Sequence, residues 1–121
     1  MLLHIVLFRP KPGISESERE AMLSALHNAA SEIPTVRRLQ VGARVIHGAA
    51  YEKLMLHDFP FAAIIEFDDL AGLQAYLQHP AHERLADLFY ELQEAALAYD
   101  YEIKPLRIEL LSIVDGSGGL S

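Results

Sequence analysis

The sequence predicts an α+β fold in which four strands and two helical regions follow in the order β-α-β-β-α-β. Short apolar segments rich in β-branched residues, at residues 2–8 and 61–67, are typical of buried strands. Between such segments, apolar residues recur at the spacing of amphipathic helices. A proline interrupts the second helical region. This order is that of a ferredoxin-like antiparallel sheet, with its helices on one face.

The first half of the chain contributes a helix and a long strand after the opening strand. Ser15 and Glu18 have the spacing of a capping box, which predicts a helix that Pro34 ends. Residues 36–47 are predicted to form the second strand. Gly42 in its middle indicates a β-bulge or a close backbone approach.

The second half begins with a stretch that permits two interpretations. Residues 48–60 are either an irregular loop or an extension of the hairpin. The third strand at 61–67 then leads to Asp69, which is a good N-cap for the next helix. The last helix is predicted to reach about Glu94, and residues 97–103 alternate as a fourth strand.

Residues with usable chemistry flank the proline break in the second helical region. Pro80 disfavours helical geometry at His79 but suits the first position of a new helix. His79 is therefore predicted to be an N-cap, and His82 to lie in the first turn of the new helix. Because Tyr76 lies just before the break, we expect Tyr76 and His82 to share one corner.

One face of the predicted sheet needs a partner. Two helical regions cover only one face of a four-stranded sheet. The first strand is nevertheless apolar on both faces, apart from His4, and the third is nearly so. A two-fold dimer lets the same apolar patch serve both subunits. The sequence therefore predicts a homodimer in which two sheets face each other.

Composition excludes several classes of function. A chain of 121 residues with 51% hydrophobic and 22% charged residues suits one globular domain. A formal net charge of −7 argues against nucleic-acid binding. No apolar run is long enough for a membrane span, no signal-peptide pattern is present, and cysteine is absent. We therefore expect a cytoplasmic protein that binds no membrane.

Metal and cofactor sites are not expected. His79 and His82 have a metal-like spacing, but a second ligand set is missing and Pro80 separates them. Two capping histidines are the simpler interpretation. His4 lies on a predicted buried strand, where a histidine is usually a core residue with a hydrogen-bond partner. No glycine-rich phosphate loop lies between a strand and a helix.

Four segments together resemble a known family. They are LLHIVLF with His4, IIEFDDLAGLQAY, the HPAH of residues 79–82, and AYDYE around Asp100. On these motifs, residues 1–104 resemble the stress-responsive A/B barrel (Dabb) domains. The resemblance implies a dimeric α/β barrel. Residues 105–121 would then be a C-terminal extension, and 106–114 have the composition of an extra strand that pairs with a sheet edge.

The resemblance also implies candidate site residues. Many similar proteins are stress-induced or uncharacterised dimers, and one of similar architecture is a plant polyketide cyclase that acts by aldol condensation. Carried over, its catalytic histidine falls on His82, its tyrosine on Tyr76 and its supporting aspartate on Asp100. Its first-strand histidine falls on His4. Phe61 stands where the cyclase has a further histidine, which makes the pocket more apolar.

Three classes of function remain open. The first is a homodimer that binds a small apolar or aromatic molecule near His82, with His4, Phe61 and His79 as ligand contacts. The second is a cyclase or a cofactor-free monooxygenase in which His82, held by Asp100, is the general base and Tyr76 is the hydrogen-bond donor. The third is a structural oligomer in which the same residues only support the corner.

Overall fold

The computed structural model describes residues 1–106, so the predicted strand at 106–114 lies, after its first residue, outside the described part. The described chain forms four strands, three helices and one short 3-10 turn. None of these helices is long and apolar enough to cross a membrane. In chain order the elements are β1 (Leu2–Pro10), α1 (Glu16–Glu32), β2 (Arg38–Ala43), the 3-10 turn (Ala50–Leu54), β3 (Phe61–Phe67), α2 (Leu70–Gln78), α3 (Pro80–Leu92) and β4 (Gln93–Glu102).

The four strands form one antiparallel sheet in the order β2-β3-β1-β4, which confirms the predicted ferredoxin-like fold. The central strand β1 pairs with β3 on one side and with β4 on the other. In this register His4 lies opposite Ile65 of β3 and Asp100 of β4. Residues that lie opposite each other on antiparallel strands point to the same face of the sheet. His4 and Asp100 therefore project towards the same layer.

Local capping signals are confirmed at three helix starts. The Ser15 hydroxyl accepts a hydrogen bond from the Glu18 backbone N–H, and the Glu18 carboxylate accepts one from the Ser15 N–H. The Asp69 carboxylate caps α2 through the Gly72 N–H. His79 caps α3, with Pro80 at the first helical position as predicted.

Strand β2 is shorter than predicted and contains no bulge. It ends at Ala43, and Gly42 pairs in regular register with Ala62. The Arg44 N–H still donates to the Pro60 carbonyl at 2.8 Å. Pro60 has no N–H to return a bond, so the ladder ends there. The stretch up to Pro60 is then a loop that contains the 3-10 turn.

Strand β4 begins earlier than predicted, directly after α3. The helix ends at Leu92, and Gln93 already pairs with Pro10 of β1. The alanines at 95 and 96 favour a helix by intrinsic propensity, but pairing with β1 overrides that preference. The last helix is therefore shorter than the sequence indicates.

The two faces of the sheet differ in how they are covered. The helices pack on the face that carries Phe8, Ile65 and Phe67, each of which is buried. The opposite face carries Ile5 and Ile64, which lie opposite each other on β1 and β3. It also carries further apolar side chains of the sheet, namely Leu3, Leu7, Leu97, Tyr99 and Tyr101. This open face is the one for which the sequence predicts a partner.

One buried amide in the core has an unpartnered oxygen. Gln93 is buried, and its Nε2 lies 3.0 Å from the sulfur of Met22, while its Oε1 has no hydrogen-bond partner. An unsatisfied buried acceptor costs stability, so Gln93→Met should raise the free energy of unfolding by about 1 kcal/mol. Urea denaturation measures this. Gln74→Met, on an exposed position of α2, is the control, and a loss of stability in Gln93→Met would contradict the expectation.

Candidate binding cavity

A cavity of about 360 Å³ lies between the helices and the sheet. Its walls come from β1, β3, β4 and all three helices, and most of the lining side chains are apolar. The apolar walls include Val6, Leu26, Ile65, Leu85 and Phe89. A concave apolar space with a few polar groups is the usual form of a small-molecule site.

The cavity opens where α3 approaches the edge strand β4. Tyr90 lines it while being 78% exposed, and Ala96 and Ala98 of β4 are exposed as well. Alternate residues of a strand share one face, so these two alanines leave a gap between β4 and α3. Ala63 and Ala86 also line the cavity. The space exists because small side chains occur at these positions.

Tyr76 projects from the last turns of α2 into this space. Its ring is 2% exposed and packs on Phe67, with ring centroids 5.2 Å apart. Burial raises the pKa of the Tyr76 hydroxyl to about 12. The hydroxyl therefore stays protonated at neutral pH and can donate a hydrogen bond.

His82 lies in the first turn of α3 and faces Tyr76, with ring centroids 4.6 Å apart. Burial lowers the pKa of His82, and the nearby His4 lowers it further. A hydrogen bond to the Leu77 backbone carbonyl and the charge of Glu83 act in the opposite direction. The net shift is downward, so the imidazole is neutral at pH 7. A neutral imidazole with one N–H engaged has its other nitrogen free to accept a proton.

Asp100 pairs with His4, and this corrects the expectation that it holds His82. The Asp100 carboxylate accepts a hydrogen bond from His4 Nδ1 at 2.6 Å. The reason is the strand register, which places these two residues directly opposite each other. His4 also lines the cavity, and its ring centroid is 6.0 Å from that of Tyr76. Asp100 therefore supports His4, and His82 meets the cavity beside Tyr76 without a bond to that carboxylate.

Two predicted ligand contacts lie outside the cavity lining. Phe61 stacks on Phe8 with ring centroids 5.7 Å apart, and of these two rings it is Phe8 that lines the cavity. His79 uses its Nδ1 to accept the Ala81 N–H at 3.0 Å. Its ring is therefore engaged in capping α3, and the structure supports that role for it.

The capping role of His79 can be tested directly. We expect His79→Ala to lower the free energy of unfolding by about 1 kcal/mol, because α3 loses its N-cap. His79→Asn should keep most of that stability, since an asparagine side chain also accepts an N-terminal N–H. Thermal or urea denaturation of the two variants measures the difference. Equal stabilities of the two variants would contradict the assignment.

The arrangement provides the parts of acid–base chemistry. Tyr76 offers a protonated hydroxyl and His82 a neutral imidazole, while His4 is held by a carboxylate. A base and a hydrogen-bond donor in the same apolar cavity can together enolise a carbonyl compound, because the base removes a proton and the donor stabilises the enolate oxygen. Among residues 1–106, no cluster of three or more histidine or carboxylate side chains has the geometry to hold a metal ion.

The pattern of small residues is the feature that sequence reasoning missed. The alternating alanines of EAALAYD place Ala96 and Ala98 on the same face of β4 as Asp100. That alternation, next to a helix with an alanine at 86, signals a gap on the helix side of the sheet. The leucine and tyrosines between them point instead to the open face.

The whole described fold matches a known family. The family model of the stress responsive A/B barrel domain (Dabb) aligns with residues 2–103, which include all four strands and all three helices described above. The chain belongs to this family. This Dabb chain thus combines that fold with a cavity between its three helices and strands β1, β3 and β4.

Three individual proteins are similar to this Dabb chain in sequence or in structure. Olivetolic acid cyclase from Cannabis sativa is 24% identical over 98 residues, which are 81% of this chain and 92% of the cyclase. A hydroxynitrile lyase from Passiflora edulis superposes with a TM-score of 0.74 at 18% identity, over 88% of this chain and 95% of the lyase. A dimeric ferredoxin-like protein from Thermobifida fusca gives a TM-score of 0.66 at 24% identity, over 84% and 90%. The structural matches establish a fold that dimeric proteins share.

Proposed function

We propose that this protein binds a small apolar or aromatic molecule in the cavity beside His82. The observation that supports it is the cavity itself, whose apolar walls meet Tyr76, His82 and His4. Apolar walls provide affinity, and a few grouped polar atoms fix the orientation of a ligand. An open cavity of this kind favours a binding protein over a purely structural oligomer.

A matched pair of probes tests this binding function. We expect para-pentylphenol to bind, and pentylbenzene, which lacks the hydroxyl, to bind more weakly, as measured by isothermal titration calorimetry. Ala98→Phe should abolish binding because the new ring fills the gap between β4 and α3. Leu23→Phe, on an exposed position of α1, is the control and should bind normally. Equal affinity of wild type and Ala98→Phe would contradict the proposal.

A second candidate function is acid–base catalysis on the bound molecule. The contact between Tyr76 and His82, at 4.6 Å between ring centroids, favours it. In this candidate, His82 takes a proton from the carbon next to a carbonyl group. The electron pair moves onto the carbonyl oxygen, which receives a hydrogen bond from Tyr76. The product is an enolate, and returning the proton to another carbon or to oxygen completes the cycle.

The likeness to one relative suggests which reaction this candidate would catalyse. The enolate formed by such a step is the nucleophile of an aldol condensation, the type of closure suggested by the likeness to olivetolic acid cyclase. A cofactor-free monooxygenase would begin with the same proton abstraction from an enolisable aromatic ketone, and the resulting anion would then react with dioxygen as the oxidant. Both reactions therefore depend on His82 as the base. Enolisation of benzoylacetone, followed by ultraviolet absorbance, measures that shared first step.

We also propose that the protein is a homodimer through the open face of its sheet. The exposed apolar side chains of this face, including half-exposed Tyr99 and Tyr101, support the proposal. Leaving such a face in water is unfavourable, and a second copy covers it symmetrically. Dimeric proteins with the same fold add support.

A further inference from the structure

We propose that the cavity selects uncharged ligands over carboxylates, and that Asp100 sets this selectivity through its negative charge behind His4. The inference rests on the proposed binding function and narrows its ligand class. Its ligands would be phenols, ketones or amides, and a molecule of the same shape with an ionised carboxyl group would be rejected.

The first support is the lack of a positive partner for an incoming anion. Among residues 1–106, the side chains that line the cavity include no lysine or arginine. The arginines on neighbouring stretches pair elsewhere: Arg84 of α3 with Glu32 at 2.9 Å, and Arg9 of β1 with Glu94 at 2.9 Å. A carboxylate that leaves water without a partner pays a large desolvation cost.

The second support is the position of the Asp100 carboxylate. It lies one imidazole ring behind the cavity wall, because His4 both lines the cavity and bonds to Asp100 at 2.6 Å. On β4 it follows Ala96 and Ala98 along the same face, at the edge where the cavity opens. Its side chain is 44% exposed, so a ligand entering from this side approaches its charge. The carboxylate of a ligand in the cavity and the carboxylate of Asp100 would repel each other.

The third support is the character of the remaining polar groups. The Tyr76 hydroxyl is protonated and donates to a neutral or developing negative oxygen. Burial lowers the pKa of His82, so this ring supplies no permanent positive charge. A neutral carbonyl or hydroxyl group therefore finds partners in the cavity, whereas a carboxylate finds one donor and no compensating charge.

Three probes of nearly equal shape test the inference at pH 8. They are para-pentylphenol, para-pentylbenzamide and para-pentylbenzoate, each measured by isothermal titration calorimetry. We expect the benzamide to bind at least about tenfold more tightly than the benzoate in the wild type. In Asp100→Asn, which keeps the shape and removes the charge, benzoate binding should improve and the ratio should fall to about threefold or less. Glu20→Gln, which removes one charge from an exposed position on α1, should keep the full ratio.

The probes also separate charge from structure. If Asp100 only positions His4, its substitution weakens all three probes alike and leaves the ratio unchanged, which overturns the selectivity role. A benzoate that binds the wild type as tightly as the benzamide overturns the inference, although the proposed binding function stands. Failure of the phenol and the benzamide to bind at all overturns the proposed function itself.

Discussion

Replacing His82 by alanine should lower the rate of benzoylacetone enolisation by about 10²–10⁴, the usual loss when a positioned general base is removed. The reason is that His82 is the neutral imidazole that contacts Tyr76 on the cavity wall. Tyr76→Phe should also slow the reaction, because the enolate oxygen loses its hydrogen-bond donor. Initial rates with wild type and both variants measure these effects.

The pH dependence of the same reaction provides an independent check. Burial lowers the pKa of His82 from its ordinary value of 6.5, so the deprotonated, active form persists below that pH. The acid limb of the rate profile should therefore have its midpoint below pH 6.5. His27→Ala, which alters an exposed histidine of α1, should leave both rate and profile unchanged. A His82→Ala variant as fast as the wild type would contradict the catalytic role.

Placing a charge on the open face of the sheet should separate the proposed dimer. In Ile5→Lys, the two-fold symmetry brings two ammonium groups into one apolar interface, where each would be buried without a partner. We expect the wild type to sediment as a dimer at micromolar concentration. The variant should sediment as a monomer, because its dimer dissociation constant should rise more than a hundredfold. This corresponds to a loss of about 3 kcal/mol of association free energy.

The matched control places the same charge on the helix side of the molecule. Leu23 of α1 is 48% exposed, so Leu23→Lys should leave the sedimentation coefficient of the dimer unchanged. Circular dichroism of Ile5→Lys should retain the helical signal, which separates dissociation from unfolding. A wild-type monomer, or a variant that remains a dimer, would contradict the open face as the interface.

The parts of the fold that the sequence predicted correctly depend on local chemistry. The helix starts at Ser15 and Asp69 follow from side chains that bond to nearby backbone groups. The corner at Pro80 follows from a ring that cannot continue one helix but can begin another. Such contacts span two or three residues, so they are legible in the sequence. They were enough to place Tyr76 and His82 together.

The parts that were not predicted depend on contacts between distant residues. Asp100 bonds to His4 because of the register between β1 and β4, which no short motif encodes. The early start of β4 has the same origin, since pairing with β1 overrides helical propensity. Phe61 lies behind Phe8 because of cross-strand packing. The apolar pattern of the sequence located these residues on strands, but the pairing of their side chains required the structure.

The most direct test of the proposed site is a crystal structure of the protein with para-pentylphenol bound. We expect the ligand in the cavity between α3 and β4, with its phenolic oxygen within hydrogen-bond distance of the Tyr76 hydroxyl or the His82 ring. We expect its alkyl chain to lie against the apolar walls. A ligand bound elsewhere on the molecule, with side chains filling the space beside His82, would contradict the account.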